Sequence, residues 1–107
     1  MSTERYMTTA EIEVSQSEQV DLQKPPQFAV VLLNDDRTTM DFVVDVLREV
    51  FFMSEESAHI LMLRIHTEGE GVAGIFMYDI AHSKQSLVIQ KARQAGFPLQ
   101  CILREVK

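Results

Sequence analysis

Asn34, Asp35 and Asp36 stand in succession where one apolar run ends and a helix-like pattern begins. Two carboxylates beside an amide are costly to confine unless they face water or a cation, so this junction is the first place to look for recognition chemistry. Asn34 can accept through its amide oxygen, and an ionised Asp35 accepts from several donors. A primary ammonium carries three donors in tetrahedral array, so acceptors converging on one point hold it well above the strength of a neutral contact. Met40 and Met62 have unbranched, adjustable side chains that suit an apolar cavity beside that point. Each residue also has a plain structural reading. Asn34 to Asp36 is then a solvated turn, Met40, Val43, Met62 and Leu99 are core, and His66 is a surface or hydrogen-bonded histidine at a helix end.

Other chemistry is poorly served. His59 and His66 are seven apart and can share a helix face, and His82 follows, but no compact ligand spacing such as His-Glu-x-x-His joins them to Asp35 or Asp36. No metal and no other cofactor is expected. Cys101 is the single cysteine and lies in an apolar alternation, which suits a small core residue better than a nucleophile. Gly69, Gly71 and Gly74 flank or interrupt a strand pattern without leading into a Lys-Ser/Thr helix start, so they make no phosphate loop.

The elements that must position these groups follow from periodicity. Residues 1–24 are rich in Ser, Thr, Gln and Glu with dispersed apolar side chains, and read as a flexible extension. Pro25-Pro26 stiffens the boundary of a core domain over 25–107, because neither proline donates to a ladder. Phe28 to Leu33 has the profile of a buried strand. Thr38 with Asp41 has the form of a capping box, with Thr39 as a competing cap, for a helix whose apolar face is Met40, Val43, Val44, Leu47, Val50 and Phe51. Ser54 caps a second helix with Ala58, Leu61, Met62 and Ile65 inward and His66 one turn beyond Met62. Val72 to Tyr78 reads as a central strand, in which Gly74 suggests a bulge or close packing. A third helix runs from about Asp79 to Ala95, ended by Gly96 and Pro98. Leu99 to Val106 is the last strand, with Leu99, Cys101 and Leu103 on one face.

The expected fold is therefore α+β, a compact two-layer domain in which a three-stranded antiparallel sheet packs against three helices in the order β-α-α-β-α-β. A chain of 107 residues with 46% hydrophobic content can build one real core, which leaves no room for separate substrate and cofactor domains. A formal charge of −6 argues against a nucleic-acid partner and favours a basic chain end or an amine. There is no signal-peptide pattern and no apolar stretch near the roughly 20 residues that span a bilayer, so a cytoplasmic location with no membrane partner is the expectation.

In combination the residues resemble the ClpS adaptor family. The resemblance rests on Lys24-Pro25-Pro26, Val31 to Asp36, Thr38, Met40 to Val46, Met62 to His66, Gly69, Gly71, Gly74 and Phe76, Ala81, Lys84, Ala92 and Pro98-Leu99, and runs from about Lys24 to Glu105. It implies a non-catalytic, monomeric adaptor of the bacterial N-degron pathway that passes substrates to the ClpA unfoldase of the ClpAP protease. By that resemblance Asn34, Asp35 and His66 contact the substrate's α-amino group and first peptide unit. Asp36, Thr38, Met40, Val43, Met62, Ile65 and Leu99 form or support the cavity for a first side chain of Leu, Phe, Tyr or Trp. Asp79 and Lys84 dock the ClpA N-terminal domain, and the extension serves as an arm during delivery. Thr39, Arg37 and Ile65 depart from the proline, aromatic residue and valine frequent at these places, as Asp79, His82 and Ser83 depart from a frequent Glu-x-x-Glu-Thr pattern. The competing class is a ribosome-stalk-like interaction domain of the same compact fold, which would bind a protein surface whatever the substrate's first residue.

Overall fold

The computed structural model describes residues 24–107; the expected extension falls almost wholly outside them. The elements are β1 (Gln27–Leu33), α1 (Met40–Phe51), α2 (Glu55–Glu68), β2 (Glu70–Met77), α3 (Tyr78–Gln94) and β3 (Gln100–Val106). The sheet has the order β2-β1-β3, antiparallel throughout, with the helices packed against it. This is the α+β, β-α-α-β-α-β arrangement expected from the periodicity. The strand read as central corrects to an edge: β1 lies in the middle and β2 beside it.

Val30 and Leu32 of β1 face the helices and meet Val46, Leu47, Met62, Val88 and Leu99 in one core. Val31 points to the other side of the sheet and is nevertheless fully buried. Its direct partners are Val72 and Ile102, and an Arg104–Glu70 ion pair at 2.8 Å links the two outer strands across β1. The register shifts between Val30 and Val31, where Ala73 is the extra residue of a bulge beside Gly74. A Cβ on Gly74 would stand 2.7 Å from the Phe76 ring, so both reasons for a glycine there hold.

The helix ends are chemically marked. Ser54 caps α2, accepting from the Ser57 amide at 3.1 Å. α1 begins one residue later than Thr38 predicts: Thr39 is the cap and accepts from the Phe42 amide at 3.2 Å, because Thr38 is drawn away to Asp35. α3 follows β2 without a loop residue and ends in paired bonds, Gly96 N–H to Arg93 at 3.1 Å and Phe97 N–H to Ala92 at 2.8 Å, with Gly96 at φ 82°. The apolar face of α3 is narrower than its sequence pattern: Ala81, Val88 and Ala92 are buried while Ile80 and Leu87 are exposed.

Gly69 ends α2 at φ 96°, a left-handed value that costs an L side chain roughly 1–2 kcal/mol. Nothing lies within 4 Å of a Cβ built there, so the cost is backbone strain alone. Gly69→Ala is expected to lower unfolding free energy by about 1 kcal/mol, read by urea denaturation, with an unchanged m-value.

Candidate functional site

The Asn34 turn and the end of α2 meet through the backbone. The Asn34 amide donates to the Gly69 carbonyl at 2.9 Å, and Gly69 N–H donates to Ile65 at 2.9 Å. The end of β1 is thereby tied to the last turn of α2, which carries His66. Leu33 opposite Glu70 in the ladder fixes the same junction.

Within the turn, Asp35 organises the backbone. One carboxylate oxygen, Oδ1, accepts from the amides of Arg37 at 2.8 Å and Thr38 at 2.7 Å, and Oδ2 accepts from the Thr38 hydroxyl at 2.7 Å. Partial burial pushes the Asp35 pKa up, but the Thr38 hydroxyl, the two amides and the Arg37 charge together outweigh it and leave the carboxyl below its ordinary value of 3.8. Three bonds do not exhaust a carboxylate, and Oδ2 keeps capacity for another donor.

Between this turn and α2 lies a concavity of about 350 Å³ lined by Asn34, Asp35, Asp36, Thr38, Thr39, Met40, Val43, Met62, Ile65 and His66. Its wall is divided by chemistry. Val43, Met62 and Ile65 are buried apolar side chains supplied by the inward faces of α1 and α2. Asn34, Asp36 and His66 are exposed on its polar side, and Met40 is 43% exposed despite its place in the apolar pattern of α1. Ammonium-accepting oxygens beside an apolar hole suit a ligand that carries both an amine and a hydrophobic group. A roomier hollow of about 470 Å³ at Asp45, Arg48, Glu49, Phe52 and Met53 is more open and offers no comparable apolar floor.

The residues expected at the amine and side-chain sites therefore line this concavity with one exception, and the two expected to dock ClpA do not line it. Leu99 is 1% exposed and sits in the core with Met62 and Ile65 without lining the concavity. Asp79 is exposed in the first turn of α3. Lys84 is half-buried: its ammonium donates to the Val50 carbonyl at 2.7 Å and lies 4.7 Å from the centre of the Phe52 ring. Two contributors were hidden in the sequence. Thr39 lines the hollow as well as capping α1, and Gly69 supplies the carbonyl that holds the turn. Burial pushes the Cys101 thiol up to about 12, which keeps it protonated and unreactive. Among the described residues no three His, Cys, Asp or Glu side chains gather as a metal site, and no helix is long and apolar enough to cross a membrane.

A small two-layer α+β domain with an acceptor-rimmed apolar hollow has the architecture of a compact binding module, and comparison with known proteins makes the class specific. Residues 23–102 match the family of the ATP-dependent Clp protease adaptor protein ClpS. The chain is 52% identical over 84 residues to the ClpS adapter protein of Cupriavidus taiwanensis, covering 78% of each. It is 46% identical over 96 residues to that of Wolinella succinogenes, covering 90% of this chain and 94% of the relative. A solved structure of Agrobacterium tumefaciens ClpS2 bound to L-phenylalaninamide superposes with a TM-score of 0.76 at 36% identity, covering 78% of this chain and all of that one. The chain belongs to the ClpS family of protease adaptors and is not an enzyme.

Because Asp35 has a lower pKa folded than unfolded, the unfolded chain binds the extra proton as pH falls. The stabilisation is full above 3.8 and is lost as pH drops through the folded value. Asp35→Asn is expected to flatten that acid limb in urea-denaturation stabilities measured between about pH 2 and 5.

Proposed function

We propose that this adaptor binds N-degron substrates through their free α-amino group and a large hydrophobic first side chain, Leu, Phe, Tyr or Trp, and delivers them to the ClpA unfoldase of ClpAP. The observation that carries the reading is the divided wall of the concavity, with Asn34, Asp35 and His66 on its polar side and Met40, Val43, Met62 and Ile65 on its apolar one. An α-amino group satisfies acceptors that otherwise face water, while the adjacent side chain displaces water from the hole. Charge and shape thus read different parts of the same residue. A hollow of about 350 Å³ lies near the lower end of the roughly 300–1,000 Å³ typical of ligand pockets, a size suited to one residue rather than a long segment. The 36%-identical relative bound to L-phenylalaninamide, a ligand with a free amine and an aromatic side chain, supports the same assignment.

Met40 stands half-exposed at the edge of the concavity beside the buried floor, and in this reading it acts as a gate that meets the β-carbon of an entering residue. Branching at that carbon crowds it, which disfavours Ile and Val relative to Leu and Phe. Thr38 and Asp36 support the rim, and Leu99 supports the floor from behind through the shared core. Delivery is assigned to the surface around the start of α3, where Asp79 is exposed and Lys84 bridges to the end of α1. Its partner is the ClpA N-terminal domain. Residues 1–23 serve as an arm in the handover, and a cytoplasmic location accords with a cytoplasmic protease.

Two measurements test the reading. Acetylating the amine of a Leu- or Phe-starting peptide removes its charge and donors, and is expected to cost about 2–5 kcal/mol in titration calorimetry. Equal affinity for free and acetylated peptides would defeat the proposal. For the delivery surface, Lys84→Glu is expected to weaken the complex with ClpA while leaving the affinity for a Phe-starting peptide unchanged. An unaltered ClpA complex removes Lys84 from the interface.

A further inference from the structure

A second concavity of about 460 Å³ shares the Asn34 turn through Arg37 and is completed by Arg93, Gly96, Phe97, Pro98 and Gln100. Gln100 pairs with Leu33, the last residue of β1, so this groove borders the amine site along the ladder. Its two guanidinium groups stand on a chain of net charge −6, so the groove is a local reversal of sign. The two are not equivalent. Arg93 spends one nitrogen on the carbonyls of Phe97 at 2.9 Å and Leu99 at 3.2 Å, which fixes it as part of the groove wall. Arg37 is exposed; among the described residues its backbone amide donates to Asp35 at 2.8 Å, its charge helps to lower the Asp35 pKa, and its guanidinium makes no hydrogen bond.

Resting on the proposed amine-binding function, we infer that this groove receives the residues following the first one of a bound substrate, and that Arg37 makes the adaptor prefer an acidic side chain at positions two to four. Once the amine and first side chain are fixed in the neighbouring hollow, the rest of the peptide must leave across the rim. An extended chain advances about 3.3–3.6 Å per residue, so the next few residues stay within reach of a long arginine side chain three positions from Asn34. A carboxylate there meets the Arg37 fork, which pairs with it in two-point geometry, while a lysine meets like charge. Without Arg37 the rim belongs to Asp35 and Asp36 and selects the opposite sign. Arg37 is therefore a specificity-determining residue for the substrate's second to fourth positions. Its pairing is solvent-exposed and screened by salt, which sets its size at about two- to fivefold in affinity.

The experiment uses the full chain and fluorescent peptides that begin with unblocked Phe and differ only in carrying Asp, Ala or Lys at positions two, three and four, with an acetylated set alongside. At low salt the Asp peptides are expected to bind about two- to fivefold tighter than the Lys peptides. The preference for Asp is expected to give way to a weak preference for Lys in Arg37→Ala, where Asp35 and Asp36 set the sign of the rim, to a stronger one in Arg37→Glu, and to shrink for the unaltered chain in 1 M salt. Equal affinity across Asp, Ala and Lys, with free peptides still bound over acetylated ones, overturns the groove assignment and leaves the amine site standing. Loss of the distinction between free and acetylated peptides overturns both. A preference for Asp that persists undiminished in Arg37→Ala and Arg37→Glu also overturns it.

Discussion

A backbone hydrogen bond from Asn34 N–H to the Gly69 carbonyl, continuing the ladder at Leu33 and Glu70, ties together the two halves of the candidate site. The acceptor-bearing turn comes from the end of β1 and the histidine from the end of α2, more than thirty residues apart in sequence. Gly69 can present its carbonyl because it sits at φ 96°, where its own amide still reaches Ile65 and the chain turns at once into β2. A helix terminus leaves carbonyls and amides to satisfy, and here that need is met by the turn that carries the recognition groups. Helix termination and site construction are the same event.

The same economy governs Asp35. Its carboxylate accepts from two amides and one hydroxyl, so it shapes the turn before any ligand arrives. These bonds keep it ionised further into acid than an ordinary aspartate, which suits the ammonium contact proposed for it. The cost is that fewer lone pairs remain, so Asn34 and His66 must share in any contact with three donors. Preorganisation of this kind limits what binding must spend in ordering the rim.

Lys84 illustrates a different compromise. Its ammonium closes the end of α1 by bonding the Val50 carbonyl and lies among the rings of Phe51, Phe52 and Phe76. Phe52 is 80% exposed and held at φ 57° as the left-handed cap of α1. A lysine placed over aromatic faces and against a helix C-terminus is stabilised by both. Lys84, on the surface proposed to meet the unfoldase, therefore ties α3 to the end of α1.

Much of this protein was legible in its sequence because the relevant physics is local. Phe28 to Leu33, the inward faces of the helices, the Ser54 cap, Gly96 before Pro98, and the bulge glycine at Gly74 announce themselves through side-chain period or backbone freedom. The fold class follows, as does the suspicion attached to Asn34 through Asp36. Tertiary structure alone decided the rest. Strand order depends on pairing between distant segments, so apolar Val72 to Tyr78 looked central although β2 is an edge. Thr38 and Thr39 are chemically alike, and only the Asp35 carboxylate assigned one to the turn and the other to the cap. Met40 and Leu99 are both apolar, but one lies half-exposed in the wall of the hollow and the other is buried in the core without lining it. Side-chain type records what a residue can do; whether it meets a partner depends on where folding, driven by burial and backbone pairing, places the remote piece of chain.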